Sequence, residues 1–388
     1  MDIRLSEEQE MIRHSARNFL AKNCPSSFVR EMVADEKGYT EELWKGMADL
    51  GWMGLIIPQE YEGSGMGFVD LMVLLEEMGH VLLPGPFFST LILGGFSFLE
   101  AGNDKQKREF LPGIARGEII ITFAIIEAES AYDPSSIVVS AQDNGDGYII
   151  NGTKLFVSDS HVADYILCAA RTSNGVDPED GITLFIVDGN DPGINRKLLN
   201  TIAGDKQFEV IFNEVKVPKE NILGDVDQGW SPLKRVLQKA AVAKCAEMVG
   251  SGQQILDMTV AYAKEREQFG QLIGSFQAIQ HHCTSMLIDL EGCRWITYKA
   301  AWMIDEGMPH DKEASIAKAW CSEAYRRIVA LGHQVFGGIG YMEEHDLPLY
   351  FRRARVAEAT FGDAAFHRKI VADHIYSNGW VIPSPVEF

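Results

Sequence analysis

The sequence has a shortage of positive charge and no long apolar run, and both features narrow its possible functions. Lysine and arginine number 35 against 55 acidic residues, which gives a formal net charge of -20. Nonspecific nucleic-acid binding and polybasic membrane anchoring both rely on excess positive charge, so we expect neither. The most apolar stretch, residues 81–94, contains Pro84 and Pro86 and is shorter than the ~20 apolar residues of a spanning helix. The sequence therefore predicts no membrane span.

Several common functional signatures are also missing. There is no Walker loop, no GxGxxG after a strand, no HExxH and no GxSxG. The six cysteines are scattered without CxxC or zinc-ligand spacing, so we expect reduced, mostly buried thiols and no metal site. The amino terminus is charged from its second residue and lacks the apolar region of a secretory signal. We therefore expect a cytoplasmic protein.

The hydrophobic period changes twice along the chain. Residues 1–120 have a helical pattern, residues 121–229 contain short β-branched or aromatic runs bounded by turn residues, and residues 230–388 return to long helical patterns. This segregation predicts an α+β protein rather than an alternating βαβ fold. We expect an amino-terminal α-helical domain, a central and mostly antiparallel β domain, and a carboxyl-terminal four-helix-bundle-like domain that builds the oligomer core.

The most specific motif has two halves, Glu265-Arg-Glu-Gln-Phe-Gly270 and Phe276-Gln-Ala-Ile-Gln280. With Gln334-Val-Phe-Gly-Gly338 further on, the chain resembles the acyl-CoA dehydrogenases from end to end. The resemblance implies that these segments bind the FAD of a neighbouring subunit through Arg266, Phe269, Gln277, Gln334, Gly337 and Gly338. Arginine gives a pyrophosphate a forked, permanently charged donor, and glycines let backbone amides approach it.

Two segments of the β region resemble the family's flavin-contacting strands. In Gly152-Thr-Lys-Leu-Phe-Val-Ser158 the resemblance implies that Phe156 packs on the isoalloxazine and that the Ser158 hydroxyl reaches flavin N5. The upstream segment, residues 123–133, is a degenerate form of the family's flavin-binding stretch and lacks its threonine and serine hydroxyls. Its implied cofactor contacts, partly through backbone amides, are Phe123, Ile125, Ile126, Ala131 and Tyr132.

The catalytic base is absent from both positions at which relatives place a glutamate. The resemblance puts Phe361 at one position and Ala240 near the other. Glu247 lies on the same helix face as Ala240 but about 10 Å further along the axis, in an apolar stretch that would suit a base. Its alternative role is that of a salt-bridged or polar-lined helix residue. Asp363 is the second candidate base, with a loop cap or a cofactor contact as its alternative role.

The leading hypothesis is FAD-dependent α,β-dehydrogenation of an acyl-CoA thioester, with electrons passed to an electron-transfer flavoprotein. The chain is also similar to divergent subunits of heteromeric acyl-CoA dehydrogenases for sterol side chains and other bulky, branched or cyclic acids. This similarity leaves a homotetramer and a heterotetramer with a related subunit both open. The alternatives are a non-catalytic or half-site partner subunit and, more remotely, a different flavin chemistry with an aspartate base.

Overall fold

The computed structural model describes residues 4–129 and 132–377, which form two compact units. The sheet unit comprises residues 7–74 and 81–240, and the helical unit comprises residues 4–6, 75–80 and 241–377. Helices come first along the chain, the sheet follows and long helices come last, so the predicted α+β class and its order of regions are confirmed. The domain limits at residues 120 and 229 stay a prediction.

Within the described residues, six α-helices and one π-helix precede the sheet. Their bounds are α1 Glu7–Asn23, α2 Ser26–Ala34, α3 Glu41–Asp49, α4 Phe68–His80, the π-helix Phe88–Gly95, α5 Phe96–Ala101 and α6 Asp104–Ala115. Side-chain caps fix two of the starts. Thr40 Oγ1 accepts a hydrogen bond from the Leu43 amide before α3, and Asn103 and Gln106 form a reciprocal capping box before α6. These bonds satisfy amides that a helix start leaves without partners.

The central strands are β1 Ile121–Ala124, β2 Ser140–Asp143, β3 Gly147–Ser158, β4 Tyr165–Arg171, β5 Ile182–Asp188, β6 Ile194–Leu199, β7 Gln207–Pro218 and β8 Ile222–Leu223. They form one sheet in the order β6-β7-β3-β2-β4-β5-β8, and β1 pairs beside β4. Most pairs are antiparallel, whereas β1 runs parallel to β4. One apolar core covers the inner positions of these strands and includes Ile150, Val157, Phe185, Val210 and Phe212. This core fixes the register of β3 against β7.

The helical unit is organised around one central helix, Asp311–Phe336. Its long elements are α7 Trp230–Glu265, of which residues from 241 onward belong to this unit, α8 Gln277–Asp305, α9 Asp311–Phe336, α10 Leu347–Ala359 and α11 Ala364–Ser377. A short hairpin, β9 Glu267–Gln268 and β10 Gln271–Leu272, links α7 to α8. Helices α8, α10 and α11 all pack against α9, which buries much of its length.

Two glycines let the end of α4 approach α7 within the helical unit. A Cβ added at Gly250 would lie 1.8 Å from the Glu76 carbonyl oxygen, and one at Gly79 would lie 2.1 Å from the Glu247 carbonyl oxygen. Both distances are too short for any side chain. The helix that carries Glu247 is therefore held against α4 by backbone contact.

Candidate active site

Phe156 interrupts the ladder between β3 and β7. The strand register shifts between Lys154 and Val157, and Phe156 in that interval has a φ of 52° with 54% of its surface exposed. Positive φ is rare for a bulky residue and persists only where the surrounding structure imposes it. The bulge thus turns an aromatic ring away from the strand pairing and leaves it accessible for stacking.

Ser158 lies two residues further on and is held by its neighbours. Gln207 Nε2 donates a hydrogen bond of 2.8 Å to Ser158 Oγ, and the Thr122 hydroxyl donates to the Ser158 carbonyl. A hydroxyl that accepts one hydrogen bond can still donate its own proton. The Ser158 hydroxyl in turn donates to Gln207 Oε1 at 3.2 Å, so a contact with a flavin nitrogen requires the hydroxyl to rotate away from Gln207. Sequence reasoning gave Gln207 no role.

A buried ion pair fixes the loop beside Phe156. Lys154 is fully buried, and its Nζ donates to Glu127 Oε1 at 2.7 Å and to the Ile125 carbonyl at 3.1 Å. The Glu127 carboxylate also accepts from the amides of Val138 and Val139. A buried ion pair is sustained when additional hydrogen bonds satisfy both partners. Sequence reasoning missed this pair, although a lysine inside a strand and a glutamate in the degenerate flavin segment were its visible signals.

The other residues predicted on the upstream segment differ in exposure. Phe123 and Ile125 are buried in the sheet unit, so only their backbone atoms suit a cofactor contact. Ile126 is half-buried, and its carbonyl accepts a hydrogen bond of 2.8 Å from the Leu155 amide. Tyr132 has a φ of 51°, and Ala131 lies outside the described residues. The roles of these five residues stay predictions.

The helical unit brings its three motif segments together at one exposed end. Ala263, Ile273 and Val335 form a small core with Tyr262, Phe276 and Ile279 packed against it. This core joins the α7–α8 hairpin, the start of α8 and the end of α9. All six residues predicted there to bind FAD are exposed: Arg266, Phe269, Gln277, Gln334, Gly337 and Gly338. The fold therefore collects the motif into one surface.

The glycines at the end of α9 leave open space. A Cβ added at Gly337 or Gly338 would meet no atom within 4 Å, and Gly337 has a φ of 63°. Phe269 on the neighbouring hairpin is 93% exposed, which is unusual for so large an apolar side chain. An open glycine turn beside Arg266 and an uncovered ring fits the pyrophosphate and ring contacts that FAD needs.

The surroundings of Glu247 differ from those that its neighbours in sequence suggested. Its carboxylate forms an ion pair with Lys244, one helical turn earlier, and its side chain is 26% exposed. This ion pair agrees with the alternative role, a salt-bridged helix residue, because residues three apart meet on a helix surface. A role for Glu247 as base stays a prediction.

The turn between α10 and α11 carries Phe361 and Asp363. Phe361 is buried at the position where the resemblance expects a glutamate, and it has a φ of 61°. Asp363 is exposed, and its Oδ1 accepts a hydrogen bond of 2.8 Å from the Phe366 amide at the start of α11. Asp363 is thus a helix cap, which leaves its second carboxylate oxygen for another contact.

Three further observations concern metal ions, membrane spans and disulfides. Among residues 4–129 and 132–377 no cluster of histidine, cysteine and acidic side chains is arranged to hold a metal ion, and no helix is long and apolar enough to cross a membrane. All six cysteines lie in this part of the chain, and none forms a disulfide.

Three family models match consecutive parts of the chain. They describe the acyl-CoA dehydrogenase N-terminal domain at residues 6–118, the middle domain at residues 122–215 and the C-terminal domain at residues 227–376. The caffeyl-CoA reductase–Etf complex subunit CarC of Acetobacterium woodii is 32% identical over 95% of this chain and 98% of its own.

Two solved structures have a similar fold. Butyryl-CoA dehydrogenase from Megasphaera elsdenii is 26% identical with a TM-score of 0.91, over 97% of this chain and 100% of that one. A chain of the ChsE4–ChsE5 complex from Mycobacterium tuberculosis is 26% identical with a TM-score of 0.88, over 98% of this chain and 100% of that one.

Proposed function

We propose a function on the following premise: the chain belongs to the acyl-CoA dehydrogenase family. It is accordingly an oxidoreductase that acts on a CH–CH bond of an acyl-CoA. Members of this family are FAD-dependent flavoproteins.

The proposed reaction is FAD-dependent α,β-dehydrogenation of an acyl-CoA thioester. FAD, when bound, would supply the acceptor for the hydride that leaves the β-carbon, and a carboxylate of the chain, with Glu247 as the first candidate, would take the α-proton. The chain's own residues would bind and orient: the Phe156 ring would pack on the isoalloxazine, and the Ser158 hydroxyl would donate to N5. Arg266 would pair with the pyrophosphate of the FAD of a neighbouring subunit. The observation that carries the proposal is the exposed ring of Phe156, whose backbone has a positive φ, two residues before a serine that is hydrogen-bonded to Gln207.

An electron-transfer flavoprotein is the proposed electron partner. A relative named as a subunit of a caffeyl-CoA reductase–Etf complex supports this choice. That name also describes a reductase, so the direction of the reaction is part of the test. The resemblance to subunits for bulky acids makes branched and cyclic acyl groups the first substrates to try.

The experiment is anaerobic titration of the purified yellow protein with linear, branched and cyclic acyl-CoA thioesters. We expect loss of the flavin absorbance near 450 nm, as is typical of flavin reduction, and appearance of the enoyl-CoA product. The free acids without CoA are the matched control and should leave the spectrum unchanged. A flavin that every saturated thioester leaves oxidised, but that reoxidises with an enoyl-CoA after chemical reduction, would reverse the proposed direction.

A half-site partner subunit is the second candidate. A buried phenylalanine at the expected base position and an aspartate engaged as a helix cap favour it, as does the similarity to a chain of a two-component complex. This candidate predicts a colourless protein that becomes yellow and active only when co-expressed with a related subunit. A lone chain that binds flavin and turns over would exclude it.

Replacement of Glu247 by glutamine tests the proposed base. We expect Glu247→Gln to slow anaerobic flavin reduction by about 10²–10⁴-fold, because a positioned base contributes on that order. Lys244→Met is the matched control, since it breaks the same ion pair but keeps the carboxylate. Asp363→Asn keeps a capping side chain, so loss of activity in that variant alone would move the base to the turn.

A further inference from the structure

Lys318 of α9 is a fully buried cation whose hydrogen-bond partners are all uncharged. Its Nζ donates to Ser322 Oγ at 3.0 Å, to the Glu358 carbonyl at 3.0 Å and to the Gly362 carbonyl at 2.8 Å. An ammonium has three protons to donate, so this set uses all of them. Glu358 lies in the last turn of α10, where a cation stabilises the negative end of the helix dipole.

His367 of α11 binds the same turn from the other side. Its Nε2 lies 2.8 Å from the Phe361 carbonyl, and its Nδ1 lies 3.2 Å from Ser315 Oγ. A carbonyl can only accept, so Nε2 carries the ring proton and Nδ1 accepts from the Ser315 hydroxyl. Lys318 and His367 together therefore hold the carbonyls of Glu358, Phe361 and Gly362.

The turn that they hold is strained. Phe361 has a φ of 61° and Gly362 a φ of 96°. A Cβ at Gly362 would lie 2.4 Å from Phe366 Cδ1 and 2.9 Å from His367 Nε2, so the turn is also closely packed. Positive φ at a bulky aromatic residue persists only when surrounding contacts determine it, and such residues cluster at functional sites.

We propose that Lys318 and His367 act as a clamp that positions the turn from Thr360 to Asp363, and with it the Phe361 ring and the Asp363 carboxylate, for the reaction. The inference rests on the proposed function for the link between this turn and the substrate. The clamp itself follows from the contacts alone. Neither residue contacts reacting atoms, so both are positioning residues.

The charge of Lys318 makes the clamp sensitive to pH. Burial lowers the pKa of Lys318 to about 8 and that of His367 to about 4, so His367 stays neutral between pH 6 and 10. The titratable or charged groups that face Lys318 are Lys244 and Cys245 on α7, Cys321 on its own helix, and Asp363 and His367 at α11. As pH rises through about 8, the amine keeps only two protons for three acceptors, so one of the three contacts is lost. Because this pKa lies below that of an exposed lysine, the same deprotonation relieves a buried charge and does not favour opening of the turn.

The test compares holoenzymes of the full chain carrying Lys318→Met or Lys312→Met. Lys312 is the matched control, because it begins the same helix with a half-exposed side chain. Measurements are amide hydrogen exchange of residues 358–368, FAD content, and anaerobic reduction by an acyl-CoA between pH 6 and 10. For Lys318→Met we expect at least tenfold faster exchange in this segment, parental FAD content and at least tenfold slower reduction without the inflection near pH 8.

Parental exchange rates or an unchanged pH profile in Lys318→Met would overturn the clamp. If that variant does not fold, Ser322→Ala decides, because removal of one acceptor must shift the inflection to lower pH; an inflection that stays in place overturns the proposal. If no thioester reduces the parental flavin, the proposed function fails, and the exchange measurement still decides whether Lys318 holds the turn.

Discussion

The two units carry their candidate FAD-binding residues in opposite ways. In the sheet unit the supporting groups are bonded to one another: Lys154 and Glu127 are buried, and the half-buried Gln207 is hydrogen-bonded to Ser158. In the helical unit Arg266, Phe269 and Gln277 are exposed. The candidate residues of the sheet unit are thus supported by contacts within that unit. Those of the helical unit are exposed and would gain contacts only when FAD binds.

This difference separates two kinds of energetic contribution. A buried network determines whether its own domain folds, because a broken network leaves a charge that water cannot reach. An exposed charged residue contributes little to folding, but it contributes to affinity once a ligand desolvates it. Mutations in the buried network of the sheet unit should therefore reduce stability and flavin binding together, and mutations of the exposed motif residues of the helical unit should reduce flavin binding alone.

The largest expected effect is that of Lys154→Met. Removal of one partner of a buried pair leaves the Glu127 carboxylate uncompensated, which costs about 3–5 kcal/mol. We expect a loss of this size in the free energy of unfolding, measured by denaturant titration of the apoprotein. Lys197→Met is the control, because Lys197 is exposed and lies 3.9 Å from Glu209. A loss under about 1 kcal/mol for Lys154→Met would contradict the contrast between the units.

The next effect is that of Arg266→Ala on the helical side. A hydrogen bond to a charged group contributes about 1.5–3 kcal/mol, so FAD should bind about 10–150-fold more weakly. The unfolding free energy of the apoprotein should stay within about 0.5 kcal/mol of the parent, as is usual for exposed sites. Lys264→Ala, two residues earlier and also exposed, is the control. Full flavin occupancy of Arg266→Ala in dilute solution would remove Arg266 from the site.

The sequence predicted the order of the helical and sheet regions, but not the buried contacts that support the sheet unit. Changes of hydrophobic period predicted the order of helical and sheet regions, because local patterns follow which face of an element is buried. The Lys154–Glu127 contact joins residues 27 apart in sequence, and periodicity carries no information on such a pair. The burial of Phe123 could not be predicted from periodicity either, because all four residues of β1 are buried and the strand does not alternate.

Two features near Glu247 and Phe361 differ in how far the sequence indicates them. Lys244 and Glu247 lie three positions apart on a helix, a spacing that predicts an ion pair. A salt-bridged role for Glu247 was accordingly an alternative from the sequence, although Lys244 was not identified as the partner. The contacts of Lys318 with the turn around Phe361 could not be predicted from the sequence. Lys318 and Gly362 meet only through the packing of α9 against the turn between α10 and α11. Contacts between residues close in sequence could thus be predicted, whereas contacts between residues far apart in sequence could not.

The smallest expected effect tests whether the strain at Phe156 serves the cofactor. Phe156→Gly removes the penalty of positive φ but adds backbone entropy, so we expect the unfolding free energy to change by less than about 1 kcal/mol. Loss of the stacked ring should weaken FAD binding by about 0.5–1.5 kcal/mol, or roughly 2–12-fold, and shift the flavin absorbance. Fluorescence titration of FAD and denaturant unfolding of the apoprotein measure the two quantities.

Glu214→Gly is the matched control for this change. Glu214 has a φ of 54° on β7, and its amide donates to the Asn151 side chain near the other irregularity of the same strand pair. It therefore offers the same relief of strain outside the flavin motif, and FAD affinity should not change. If both variants bind FAD like the parent, the Phe156 ring has no cofactor role, and its conformation reflects only the bulge. If Phe156→Gly alone weakens FAD binding, the bulge in the sheet unit presents the ring to the flavin.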